Sequence, residues 1–108
     1  MSNEYIVVLI TAPSHEEGER IATMLVERKL AACVNILPEV HSVYSWRGDI
    51  HTDQEVILLA KSRAELFANK LLPAVQEIHP YEVPEIIAVP IVQALDSYLT
   101  WVTEETDS

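Results

Sequence analysis

Apolar positions along the chain fall into blocks with two different periods. Tyr5–Ala12 is an almost unbroken apolar run, β-branched at Ile6, Val7, Val8 and Ile10, that stops at Pro13. A run so short and so uniformly apolar predicts a central strand buried on both faces. From Ser14 the period becomes helical. Ser14 and Glu17 have the spacing of a capping box, Glu16 and Glu17 suit the positive end of the helix dipole, and Arg28 and Lys29 suit the negative end. Ile21, Ala22, Leu25 and Val26 form the inward stripe. Gly18, one turn in, is expected where the helix approaches the sheet closely.

Strand character returns at Ala31–Leu37, is interrupted at Pro38, and resumes with Val40, Ser42, Tyr44 and Trp46 alternating on one side. Pro38 lacks a ladder donor and marks a bulge or an unpaired edge position. Arg47-Gly48-Asp49 predicts a reversal, and Ile50 to about Lys61 the returning strand. Ser62 and Glu65 have capping-box spacing ahead of a helix with Ala64, Phe67, Ala68, Leu71, Val75 and Ile78 inward, interrupted by Pro73 and ended at His79-Pro80. Pro84 and Pro90 bracket a strand at Glu85–Val89, extendable to Val92, and Leu95, Leu99 and Val102 line one face of a last helix. The acidic stretch 103–108 is expected to be a frayed tail of a single domain spanning 1–108. The order βαββαβ plus a terminal helix is that of an α+β, ferredoxin-like sandwich.

The central hairpin carries an assembly prediction. Its arms of about 12–14 residues would span ~40–46 Å, whereas a globule of this length is about 34 Å across. The tip must overhang, and an overhanging unpaired edge invites a second copy. A homo-oligomer built by strand pairing follows.

Composition narrows the function. With 49% hydrophobic residues in 108 positions there is enough for a core, and with only two glycines there is no phosphate-cradling loop. Seven basic against seventeen acidic residues give a net charge of −10, which excludes a nucleic-acid partner that would need neutralised phosphates. No apolar run approaches a membrane span, and Met1-Ser2-Asn3-Glu4 lacks the pattern of a signal peptide. The lone Cys33 forms no internal disulfide, so a reducing, cytoplasmic setting is expected.

Chemistry-bearing positions are few. Cys33 has no neighbouring cation to activate it and reads as a small core residue; no serine-hydrolase, zinc-protease or paired-cysteine motif occurs. Of His15, His41, His51 and His79, the last is best placed for metal ligation, although a histidine at a helix end more often bonds the terminal carbonyls. Lys61 follows five apolar residues on a core strand, where it either emerges to meet a carboxylate or lines a cleft for an anionic or polar ligand. Tyr44, Trp46 and Tyr81 would be the aromatic walls of such a cleft, or else packing and interface anchors.

Five blocks also carry a family resemblance: Leu30-Ala31-Ala32-Cys33-Val34-Asn35-Ile36, Tyr44-Ser45-Trp46-Arg47-Gly48, Glu55–Lys61, His79-Pro80-Tyr81-Glu82-Val83-Pro84-Glu85-Ile86, and Tyr98-Leu99-Thr100-Trp101. In this order, from about Tyr5 to Val102, they resemble the CutA divalent-cation tolerance proteins. The resemblance implies a ferredoxin-like protomer, a tight homotrimer related in architecture to the PII signalling proteins, a cytoplasmic location and an association with copper and other divalent ions. The copper ligands proposed for some members are a cysteine late in the first strand and two adjacent histidines before Pro-Tyr. Here those positions hold Ile10, Ile78 and His79, so only His79 matches, and Cys33 belongs to a different block. The expectation is a non-enzymatic homotrimer, without an organic cofactor, that binds copper or another divalent cation weakly through His79 with help from Glu82. The alternative is a PII-like sensor holding a polar or anionic ligand between subunits near Lys61, Trp46, Tyr44 and Tyr81. Catalysis, and a purely structural trimer acting on a protein partner, are the remaining readings.

Overall fold

A computed structural model describes residues 4–107. The chain runs β1 (Tyr5–Ala12), α1 (His15–Glu27), β2 (Cys33–Trp46), β3 (Asp49–Arg63), α2 (Ala64–Leu66), a π-helical turn (Phe67–Leu71), α3 (Leu72–Ile78), β4 (Ile86–Pro90) and α4 (Asp96–Glu105). The four strands form one antiparallel sheet in the order β2-β3-β1-β4, which is the ferredoxin-like arrangement. Helices α1 and α3 cover one face. Ile6, Val8, Ile10, Val56, Leu58 and Ala60 from the sheet and Ile21, Leu25, Leu71 and Val75 from the helical segments close the core between them.

Local chemistry accounts for the boundaries. Ser14 caps α1 by accepting from the Glu17 N–H at 3.1 Å, but only half of the capping box forms, because the Glu17 carboxylate pairs with Arg20 at 2.6 Å. Gly18 lies where α1 presses on the sheet: a methyl at this position would meet Val56 Cγ2 at 2.9 Å and Leu58 Cδ2 at 3.3 Å. Arg47 (φ 53°) and Gly48 (φ 87°) both occupy the left-handed region, as a two-residue primed hairpin turn demands, and they close Trp46 onto Asp49. The predicted interruption at Pro38 is a bulge. Leu37 pairs with Ile57 and Val40 with Glu55, leaving one extra residue on β2, with Glu39 at φ 60° absorbing it.

The second capping box does not form. β3 continues through Arg63, and Ser62 is fully buried within it, donating its hydroxyl to the Leu30 carbonyl at 2.6 Å. The Pro73 interruption takes the form of a wider π turn at Phe67–Leu71 followed by a restart, since the proline cannot donate to the carbonyl one turn back. Residues 103–107 also differ from the frayed tail the sequence suggests, and Ser108 lies outside the described residues. Thr103 bonds the Tyr5 hydroxyl at 2.6 Å, and Thr106, only 3% exposed, receives Arg63 Nε at 2.8 Å on its hydroxyl and Nη2 at 3.0 Å on its carbonyl.

Two features of this frame have no partner among the described residues. The molecule measures 44 × 25 × 24 Å, and the hairpin supplies the long axis, with residues 49–54 all exposed. The sheet face opposite α1 and α3 is covered only at one end, where Tyr5 and Arg63 hold α4. Across its middle, Asn35, Leu59, Leu9 and Ile87 form one row and Leu37 with Ile57 the next, a largely apolar surface open to solvent.

Candidate functional site

Glu55 sits one residue beyond the last β1–β3 pair, Ala12 with Val56, at the point where Pro13 has ended β1 and β3 runs on paired with β2 only. The bulge brings Val40 opposite it. The space vacated by β1 is filled from the other side by the segment after α3. Pro80 forces that segment out of the helix, and His79 takes extended backbone (ψ 134°) as the C-cap. A cleft of about 630 Å3 remains between this loop and the outer half of the hairpin, lined among others by Thr11, Tyr44, Trp46, Glu55, Tyr81, Glu82 and Glu85.

His79 lies beneath this cleft and is 8% exposed. Its Nε2 is 2.7 Å from the Thr11 carbonyl, which can only accept, so Nε2 carries the proton; Nδ1 accepts the Tyr81 N–H at 3.1 Å. Tyr81 in turn donates its hydroxyl to Glu55 Oε2 at 2.6 Å. One relay thus ties β1, the loop and β3 together, and its terminus is a carboxylate only 9% exposed. Glu55 Oε1 receives no hydrogen bond from a described residue, yet no fully buried side-chain polar atom among them lacks a partner, so Oε1 keeps solvent exposure, and Glu55 is one of the residues lining the cleft. Nearer the tip, Tyr44 donates to Asp53 and stacks on His51 at 5.5 Å. The Arg47 guanidinium stands 5.1 Å above the Trp46 ring and 3.2 Å from Glu82.

The lining is acidic. Among the described residues three glutamates and no lysine, arginine or histidine line the cleft, and Arg47 stands at its rim against Glu82. Burial, and then the Glu55 carboxylate it bonds, push the Tyr81 phenol far above its ordinary value of 10. The hydrogen bond to Asp53, with smaller desolvation and charge effects, raises Tyr44 as well. Both phenols therefore remain donors throughout the neutral range. Because the folded-state values are raised, the stability each contributes is complete below about pH 10 and is lost as the pH climbs through the folded-state value. In an alkaline absorbance titration, phenolate at Tyr81 is expected to form well after that of a free tyrosine. Glu55→Gln should lower its midpoint only partway, burial being the larger cause; a normal midpoint in the wild type would refute the contact.

The predicted site residues separate into two places. Tyr44, Trp46, Tyr81 and Glu82 share the cleft. Lys61 does not join them: its partners on neighbouring strands are Cys33 and Val7, and its ammonium donates to Asn35 on the open sheet face. The two residues of the expected metal pair are engaged by other groups. Both ring nitrogens of His79 are engaged, so it has no free donor, and Glu82 is 71% exposed and turned to Arg47. Ile10 and Ile78 supply no further nitrogen or sulfur ligand, and no group of three or more His, Cys, Asp or Glu converges as a metal site among the described residues. Glu55 and Glu85 are the functional candidates that sequence reasoning passed over. Their signal was present: Glu55 bounds the run Val56–Ala60 on one side just as Lys61 does on the other.

A family model described as CutA1 divalent ion tolerance protein matches residues 6–105. The divalent-cation tolerance protein CutA of Thermus thermophilus is 50% identical over 100 residues, 93% of this chain and 96% of that protein. The chloroplastic protein CutA of Arabidopsis thaliana is 45% identical over 94% of this chain, which spans only 55% of the plant protein. A solved structure described as the periplasmic divalent cation tolerance protein CutA from Archaeoglobus fulgidus superposes with a TM-score of 0.91 at 43% identity, covering 95% of this chain and 99% of the other. The antiparallel α+β fold is thus shared with solved relatives, and the chain belongs to the CutA1 divalent ion tolerance family.

Proposed function

We propose that this protein is a homotrimer that acts by binding rather than catalysis, and that it takes divalent cations weakly at the carboxylates of the cleft rather than at His79. The cleft carries the reading: Glu55, Glu82 and Glu85 line it without converging on one point, and Arg47 at the rim faces Glu82, leaving Glu55 and Glu85 as the carboxylates open to a cation. Oxygen donors of this kind suit hard divalent ions and hold them loosely, so copper would be one bound ion among several. The open apolar sheet face and the overhanging hairpin support assembly, and the stoichiometry of three is the family expectation. The lone Cys33 fits a reducing compartment, and no helix among the described residues is long and apolar enough to cross a membrane.

Manganese broadening of amide resonances tests the location. Signals of Tyr81, Glu82 and Glu85 are expected to broaden before those of Glu16, Glu19 and Glu27 on the exposed side of α1. Equal broadening would reduce the effect to general acidity.

A second reading, small-molecule sensing between subunits, is favoured by size, since about 630 Å3 falls within the range of ligand pockets. Tyr44, Trp46 and Tyr81 would wall it. The ammonium of Lys61 would have to come from a neighbouring subunit, because within one chain it faces away on the open sheet surface.

A further inference from the structure

The rim of the cleft carries a cation of its own. Arg47, at the turn, lays its guanidinium over the Trp46 ring at 5.1 Å and against the Glu82 carboxylate at 3.2 Å. An aromatic face plus a carboxylate is the environment that attracts organic cations, and the chain demonstrates that preference at the rim with its own side chain. Deeper in, the same pairing recurs without an occupant among the described residues: Tyr81 beside Glu55, whose Oε1 receives no hydrogen bond from them, whose carboxylate is nine-tenths buried and which lines the cleft. A bare metal ion would use the carboxylates and gain little from the rings. An ammonium or guanidinium uses both, and its hydrocarbon portion covers apolar wall.

We infer that the cleft takes a small organic cation carrying a primary ammonium or guanidinium group, with Glu55 as its carboxylate partner and Trp46, Tyr44 and Tyr81 as its walls. The inference rests on the cation-site reading above and extends it to a ligand class. Arg47 is then a tethered competitor that a ligand displaces from Trp46 and Glu82. Its removal should improve binding of the organic cations by more than it improves binding of Mn2+, whereas general acidity would favour the divalent ion at least as much.

Calorimetric titrations with butane-1,4-diammonium and n-butylguanidinium, against butane-1,4-diol and Mn2+, separate the possibilities in the intact protein. Both organic cations are expected to bind and the diol to fail. Glu55→Gln keeps an acceptor for Tyr81 but removes the charge, and should weaken the organic cations by at least about tenfold. Trp46→Leu, at an exposed position, should weaken them by about threefold or more and leave Mn2+ unchanged. Arg47→Asn, a residue tolerant of the left-handed backbone, should strengthen them by about threefold or more. Binding of the diol as tightly as the diammonium, or no gain in Arg47→Asn, would overturn the inference. If Mn2+ binds and the organic cations do not, the inference fails and the cation-site reading stands; if neither binds, both fail.

Discussion

Ile87→Asp is expected to dissolve the proposed trimer and leave the protomer folded. Ile87 is 49% exposed within one chain, on edge strand β4, and shares a row with Leu9, Leu59 and Asn35 on the face that α1 and α3 leave bare. A charge there costs an isolated protomer almost nothing, because water still reaches it. Against the same face of a neighbouring copy it would be buried unpaired, at a cost of about 3 kcal/mol per interface, roughly a hundredfold in each association constant. Light scattering should give three times the 12.2 kDa chain mass for the wild type and the single-chain mass for the variant, with unchanged far-UV dichroism. A trimer that survives the substitution would place the interface elsewhere.

His79→Ala should be the most damaging change at the cleft. The ring is buried, and its removal deletes the bonds to the Thr11 carbonyl and the Tyr81 N–H, leaving both groups short of a partner. Two lost bonds with incomplete resolvation cost about 2–3 kcal/mol. The variant should therefore lose stability in urea by that amount. Tyr81, no longer anchored at its backbone, should let go of Glu55, and its alkaline midpoint should fall back toward 10. Wild-type stability together with an unchanged Tyr81 midpoint would show that His79 does not position the loop.

These two positions also mark how far the sequence could be read. The strands, α1, the turn at Arg47-Gly48 and the bulge at Pro38 were legible because each depends on near neighbours: a run of β-branched residues, a cap, a residue without a donor. The overhang was legible from length alone. Ser62 was misread as a cap because serine satisfies a helix end and a buried strand equally well; the deciding partner, the Leu30 carbonyl, is 32 residues away. Thr106 and its neighbours look like tail until Arg63 is placed against them from β3. The same non-locality governs the cleft. His79 stood out as a lone imidazole, but only its tertiary contacts with Thr11 and Tyr81 reveal both nitrogens in use. Lys61 drew notice as a charge at the end of an apolar run, while Glu55, at the other end of that run, is the residue that faces the cleft.

A weak cation site made of carboxylates has a direct signature in calorimetric titration of Mn2+ and Cu2+ into the wild type and into Glu55→Gln combined with Glu85→Gln. The wild type should bind both ions with dissociation constants of roughly 0.1–1 mM, copper ahead in the ordinary affinity order, and the double variant should lose most of the heat for both. No heat in the wild type, or copper binding that persists undiminished in the double variant, would contradict it.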